Sequence, residues 1–198
     1  MTGTRRPRGA LQIIRDEHAA LSAVLRAMLQ MLQRGPGDAP ERFFDVLRAM
    51  LFYIDEFPEK RHHPKESDLL FPKLARRAPQ TMEVIHALEL EHMGGHARVR
   101  DLQHLLLCWE LLGDAHRQEF SDEAARYVAF YINHMKVEET QLLPVAQQCL
   151  TADDFAELDA AFGENVDPLA RDARDARYDR LFTRIVHHAP APIGLGPA

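Results

Sequence analysis

Two stretches of this chain spell one spacing, His-x3-Glu-x3-Leu-(Phe/Leu)-Pro. The first is His62, Glu66, Leu70, Phe71 and Pro72; the second is His134, Glu138, Leu142, Leu143 and Pro144. On a helix, an imidazole and a carboxylate four residues apart share a face, separated by about 6 Å along the axis. Each copy has an upstream echo. Glu17-His18 leads the first so that His18 stands 44 residues before His62, and Glu91-His92 leads the second so that His92 stands 42 before His134. The chain therefore reads as two helical hairpins, each with a histidine on its first helix and a His-x3-Glu on its second.

The halves differ in one respect. One turn after His92 stands His96, whereas one turn after His18 stands Ser22. If a pseudo-dyad places one metal in each half, one metal receives His18 and His62, and the other receives His92, His96 and His134. Glu66 and Glu138 would then bridge. Two octahedral metals offer about twelve coordination positions. Five imidazoles, two bridging carboxylates and a bridging oxo or hydroxo group fill about eleven, leaving a vacancy on the metal with two histidines. Glu139 adjoins Glu138, so the choice of bridging carboxylate follows from aligning Glu138 with Glu66.

This constellation resembles the bacterial hemerythrin-like (HHE cation-binding) domains over about residues 11–149. The resemblance implies an all-α fold, an antiparallel up-down four-helix bundle, to which the residues beyond 149 add C-terminal helix. It also implies a di-iron centre, two iron ions with a bridging oxo or hydroxo group, held by His18, His62, Glu66, His92, His96, His134 and Glu138. Another divalent metal is compatible with those donors.

Composition bounds the rest. A chain of 198 residues is long enough to bury a core as one domain. A net charge of −6 with mixed signs provides no nucleic-acid footprint. No apolar run approaches a membrane span. Arg5, Arg6 and Arg8 are followed by an amphipathic helix and no apolar signal region, so the expected location is the cytoplasm. Cys108 and Cys149 fall near opposite ends of a bundle, far beyond disulfide reach, and are expected to be reduced.

In chain order, residues 1–10 form a flexible start. Leu11, Ile14, His18, Leu21, Leu25, Met28 and Leu32 give the first helix an apolar stripe with a histidine set into it. A lone histidine in such a stripe is usually a core residue, but three other helices repeat the substitution. The second helix starts near Pro40 and faces inward through Phe44, Leu47, Leu51 and Ile54. Pro58 and Pro64 predict a bend and not an end, because the His62/Glu66 pairing needs helix on both sides; the bland alternative is a loop over 58–64. His63 points about 100° away from His62, toward the surface or a supporting position. The third helix, about 81–112, turns Ile85, Leu88, His92, His96, Val99 and Leu106 inward. Its Gly94 and Gly95 reflect either close approach of a neighbouring helix or simple drift. The fourth, about 116–148, carries Tyr127, Tyr131, His134, Glu138, Gln141 and Val145 on its seam.

Residues 150–188 read as a helical extension. Thr151 caps a short helix to about Phe162, Asn165 to Pro168 breaks it, and residues 169–188 form an amphipathic helix that docks on the bundle or on a second subunit. His187 and His188 read either as an adventitious metal-binding pair or as residues with no specific role. Residues 189–198 read as a disordered tail.

Buried imidazoles and carboxylates need partners or cations, and five histidines with two acids have no satisfying pairing among themselves. Such nitrogen-rich ligation favours reversible binding of dioxygen or a related small diatomic over oxygen activation, so the first reading is carriage, storage or sensing. Alternatives are a di-iron redox enzyme acting on peroxide or nitric oxide, or in repair of iron centres, and a metal- or oxygen-responsive regulatory module. Tyr131, one turn from His134, serves either as a core tyrosine or beside bound ligand. A homodimer is compatible with the amphipathic extension.

Overall fold

A computed structural model describes residues 9–165, 167, 169, 178–190 and 194. Residues 1–8 of the start expected to be flexible over 1–10, residues 166, 168 and 170–177 of the expected extension, and all of 191–198 except Gly194 lie outside the described residues. Four rods make the bundle. The first is α1 (Ala10–Arg34). The second is α2 (Pro40–Ile54), α3 (His63–Lys65) and α4 (Phe71–Arg77), joined without a break by π-wound Asp55–His62 and Glu66–Leu70. The third is α5 (Met82–Leu112), and the fourth is α6 (Arg117–Val137) and α7 (Leu143–Cys149), joined by π-wound Glu138–Leu142. α1 packs on α2 and α6, and α5 packs on the same two helices, which closes the up-down bundle. Among the described residues there is no β-strand.

Local chemistry sets the ends of the rods. Gly35 and Gly113 take positive φ, 74° and 98°, and donate back to Met31 and Trp109, stopping α1 and α5 where a side chain would be strained. Pro40 opens α2, where a missing N–H costs nothing. Thr151 and Asp154 cap α8 (Ala152–Gly163) reciprocally. α8 packs on α1, and α9 (Asp179–His188) packs on α2 of its own chain, with Ile185 and Ala189 in the core. Pro190 and Gly194, within the expected tail, are buried.

The three π-wound segments share one cause. His63, Phe71 and Leu143 each precede a proline, and each donates its N–H to the carbonyl five residues back, on Pro58, Glu66 and Glu138. A proline cannot donate to the carbonyl four back, and its ring crowds that oxygen. Widening the preceding turn relieves the crowding and keeps the rod helical. Residues 58–64 are thus helix, not loop.

Widening also moves the inward face. In the fourth rod the expected α-periodic seam continues through Gln141 and Val145. Instead Gln141 is exposed and Val145 half-buried, while Leu142, Leu143 and Ala146 are buried. The shift begins at Glu138, where the turn widens.

Two apolar clusters fill the bundle. One contains Leu21, Phe57, Val99 and Met135. The other contains Ile14, Leu70, Leu88 and Leu142. On every rod the chain crosses from one cluster to the other at the candidate residues: His18 on the first, His62 to Glu66 on the second, His92 on the third and His134 to Glu138 on the fourth. A polar layer therefore lies between two dry ones.

Gly95 is buried on the inner face of α5, where an added Cβ would collide with Glu59 Oε2 and lie 2.6 Å from the Tyr131 hydroxyl. At Gly94 the nearest atom to such a Cβ is Arg98 Nε at 3.8 Å. Close approach thus explains Gly95 alone. Gly95→Ala is expected to lose about 1–3 kcal/mol by overpacking, and Gly94→Ala to be neutral or to gain up to about 1 kcal/mol of helix propensity. Denaturant unfolding of both variants measures the difference.

Candidate metal centre

The polar layer holds two groups of donors, each within 4.8 Å of one another: His18, His62, Glu66 and Glu138, and His63, Glu66, His92 and His134. Glu66 belongs to both. Nε2 of His18 and Nε2 of His62 face each other at 3.1 Å, as do those of His92 and His134. Glu66 Oε1 lies 3.0 Å from His62 Nε2, Glu66 Oε2 3.6 Å from His92 Nε2, and Glu138 Oε2 3.3 Å from His18 Nε2. Both carboxylates are wholly buried.

The outer nitrogens explain why the inner ones converge. His62 Nδ1 meets Glu17 Oε2 at 2.7 Å, and His134 Nδ1 meets Glu91 Oε2 at 2.7 Å. His18 Nδ1 meets Glu139 Oε1 at 3.0 Å, and His92 Nδ1 meets Ser67 Oγ at 2.9 Å. A carboxylate can only accept, so Nδ1 of His18, His62 and His134 carries a proton in these contacts and Nε2 is the atom turned inward. The repeat extends to this outer layer. Each histidine of a hairpin's first helix is preceded by the glutamate that holds the histidine of that hairpin's second helix, and each inner glutamate is followed by the residue that holds the first-helix histidine of the other hairpin.

Six of the seven candidates read from the sequence, His18, His62, Glu66, His92, His134 and Glu138, meet in this layer. His96 does not. Its side chain is 47 % exposed and lies 3.6 Å from Asp55 at the surface. The inner face of α5 runs Leu88, His92, Gly95, Val99, Leu102 and Leu106, which leaves His96 on the flank. The space one turn beyond His92 is filled from the second rod. There the π-wound turn places His63 inside, 4 % exposed, with its ring stacked 4.3 Å from that of His92 and 5.7 Å from that of Tyr131. His63, expected outside on α-helical geometry, thus stands where His96 was expected. Glu138 joins the first group only, so Glu66 alone is shared. Glu139, partly exposed, supports His18 from outside.

The sequence reading also passed over Glu59, 2 % exposed. It accepts the Tyr131 hydroxyl proton and lies 3.5 Å from His63 Nδ1. The i, i+4 relation of Glu59 to His63 repeats the spacing already used, in reverse order, and was available as a signal. Tyr131 is therefore engaged with Glu59, as a core tyrosine.

Charge is frustrated in the layer. Burial opposes a proton on His18, yet the close carboxylates of Glu138 and Glu139 outweigh it and hold the pKa up at about 9. His62 is likewise raised against burial, by Glu66 and Glu17. Burial, and then the neighbouring His62 and His134, push His63 well down. His92 is lowered by burial and by His63 and His134. Burial and the charge of Glu138 push Glu66 up to about 7. Burial works against the Glu138 carboxylate, but His18 and the other imidazoles hold it well below the usual range.

All four oxygens of Glu66 and Glu138 are buried without a well-formed hydrogen bond. Such atoms are costly, and imidazole nitrogens crowded face to face add to the cost. Cations between Nε2 and carboxylate oxygens would satisfy both at once. The donor set, imidazole and carboxylate with no thiolate, suits iron, manganese, copper or zinc; both cysteines are free thiols elsewhere.

An all-helical, cation-binding bundle is the class this fold and site define. Residues 9–146 match the model of the hemerythrin HHE cation binding domain, and the chain belongs to that family. No curated protein and no solved structure matches it. No helix among the described residues is long and apolar enough to cross a membrane.

Two outcomes follow. His63→Ala should lower the metal bound per chain, whereas His96→Ala should leave it at the wild-type value, both read by metal analysis of purified protein. At pH 7 His18 carries a proton that a cation must displace, so uptake should release protons, and apparent affinity should rise with pH from 7 toward 9. Titration in weakly buffered solution measures the release.

Proposed function

We propose that the chain is a non-haem di-iron protein that binds dioxygen or a related diatomic, in carriage, storage or sensing. The observation that carries this reading is the pair of donor groups sharing Glu66, with four buried carboxylate oxygens lacking hydrogen bonds. One iron would be held by His18, His62, Glu138 and Glu66, the other by His63, His92, His134 and Glu66. Two adjacent irons would supply electrons that a bound diatomic can accept and return.

The protein's own groups support binding over turnover. Five imidazoles against two inner carboxylates make a nitrogen-rich set, unlike the carboxylate-rich sites of ferritin-like proteins. The hydroxyl of Tyr53, which lines a cavity beside His18 and His62, donates to Asp167, and that of Tyr131 donates to Glu59. That cavity, of about 10 Å³, touches His18 and His62, the position with fewer imidazoles. That is the lower limit of room for one water-sized molecule. Leu21, Tyr53, Phe57 and Pro58 give it an apolar side, as a neutral diatomic requires.

Protein expressed in iron-replete medium should contain close to two irons per chain. Mixed with oxygen after reduction, it should develop a visible band that vacuum reverses; continuous oxygen consumption without such a band would instead favour a redox enzyme. Glu66→Ala should lose both irons, since both groups use it.

A further inference from the structure

The two halves of the centre are near-equivalent in the bundle but unequal in their surroundings. Glu17 and Glu91 play the same part, each gripping a histidine Nδ1 at 2.7 Å. Their exposure differs: the Glu17 side chain is 9 % exposed and that of Glu91 28 %. The cover over Glu17 comes from residues beyond the family-matched segment, at the end of α8. Phe162 places its ring edge-on to His62 at 6.1 Å. Asn165 Nδ2 donates to Glu17 Oε2 at 3.2 Å, the same oxygen that accepts from His62. Lys65 donates to Asn165 Oδ1 and to the Ala161 carbonyl, which fixes the amide with its nitrogen toward Glu17. Two residues on, Asp167 accepts from the Tyr53 hydroxyl at 2.8 Å. Asn165 and Asp167 wall the cavity beside His18 and His62.

We propose that Asn165 is a positioning residue for one metal position: acting through Glu17, it fixes the His62 ring and screens the carboxylate from water, so that the His18/His62 position holds its metal more tightly than the His63/His92/His134 position. The physical reason is that an outer hydrogen-bond partner sets the orientation and basicity of a ligating imidazole, and losing it costs roughly 10–100-fold in affinity. Glu91, with more solvent and no such amide bonded to it among the described residues, grips His134 less firmly. The proposal rests on the two-metal reading, and its test separates the two.

Full-length protein loaded with ferrous iron is mixed with an excess of a colour-forming iron chelator, and release is followed with time. Two phases of equal amplitude are expected in the wild type. Asn165→Leu, of the same branched shape, and Asn165→Asp, which turns the donor into an acceptor, should accelerate the slow phase several-fold, short of the roughly 10–100-fold that loss of the direct partner Glu17 would cost, and leave the fast phase unchanged. Glu91→Gln should accelerate only the fast phase. Thermal unfolding of the metal-free variants checks that the fold is kept. Two irons leaving the wild type at one rate, an unaltered slow phase in both Asn165 variants, or equal acceleration of both phases would overturn the proposal while leaving the di-iron reading standing. Fewer than two irons per chain before chelation would overturn that reading itself.

Discussion

Imidazole nitrogens and carboxylates confined between two hydrophobic layers govern this molecule. Each histidine of the two facing pairs has its outer nitrogen tied to a carboxylate or hydroxyl, so its inner nitrogen cannot turn away. The glutamates behind them are sealed from water by Leu70, Phe71, Leu142 and Leu143 below and by Phe57 and Met135 above. A bundle interior built from aliphatic residues alone would be more stable without such a layer. Its presence is understandable only if cations compensate it, and the shared position of Glu66 suits a pair of them.

How the backbone presents those groups depends on three prolines. Pro64, Pro72 and Pro144 each force the turn before them to widen, and the widened turns begin at or run into His62, Glu66 and Glu138. A regular α-helix would put His62 and Glu66 on one face and send His63 outside. The π-wound turn brings His63 in as well, and the face beyond it restarts at Leu70. Widened turns of this kind concentrate at functional sites elsewhere because they insert a residue into a helix face without ending the helix. Here they deliver a third imidazole to one half of the centre and none to the other, since Met135 follows His134 where His63 follows His62.

Much of this was legible in the sequence. The doubled His-x3-Glu spacing with its upstream Glu-His echoes reads as two helical hairpins, and the family resemblance those residues carry brought His18, His62, Glu66, His92, His134 and Glu138 together in a four-helix bundle. The exchange of His96 for His63 was not legible, because periodicity arguments assume 100° per residue and a π-wound turn violates that. The prolines were visible, and a bend was the outcome expected of them; winding is a second way to relieve the same clash, and sequence alone does not choose between them. Glu59 escaped notice because it lies in a charged run, Asp55 to Arg61, that reads as a solvated face. The contact of Asn165 with Glu17 spans 148 residues, and no local pattern encodes it.

The most direct test of the whole account is anomalous diffraction at the iron edge from crystals of the iron-loaded protein. Two peaks are predicted inside the bundle, one against His18 and His62 and one against His63, His92 and His134, with the Glu66 carboxylate between them. A single peak, or any peak beside His96, would contradict it.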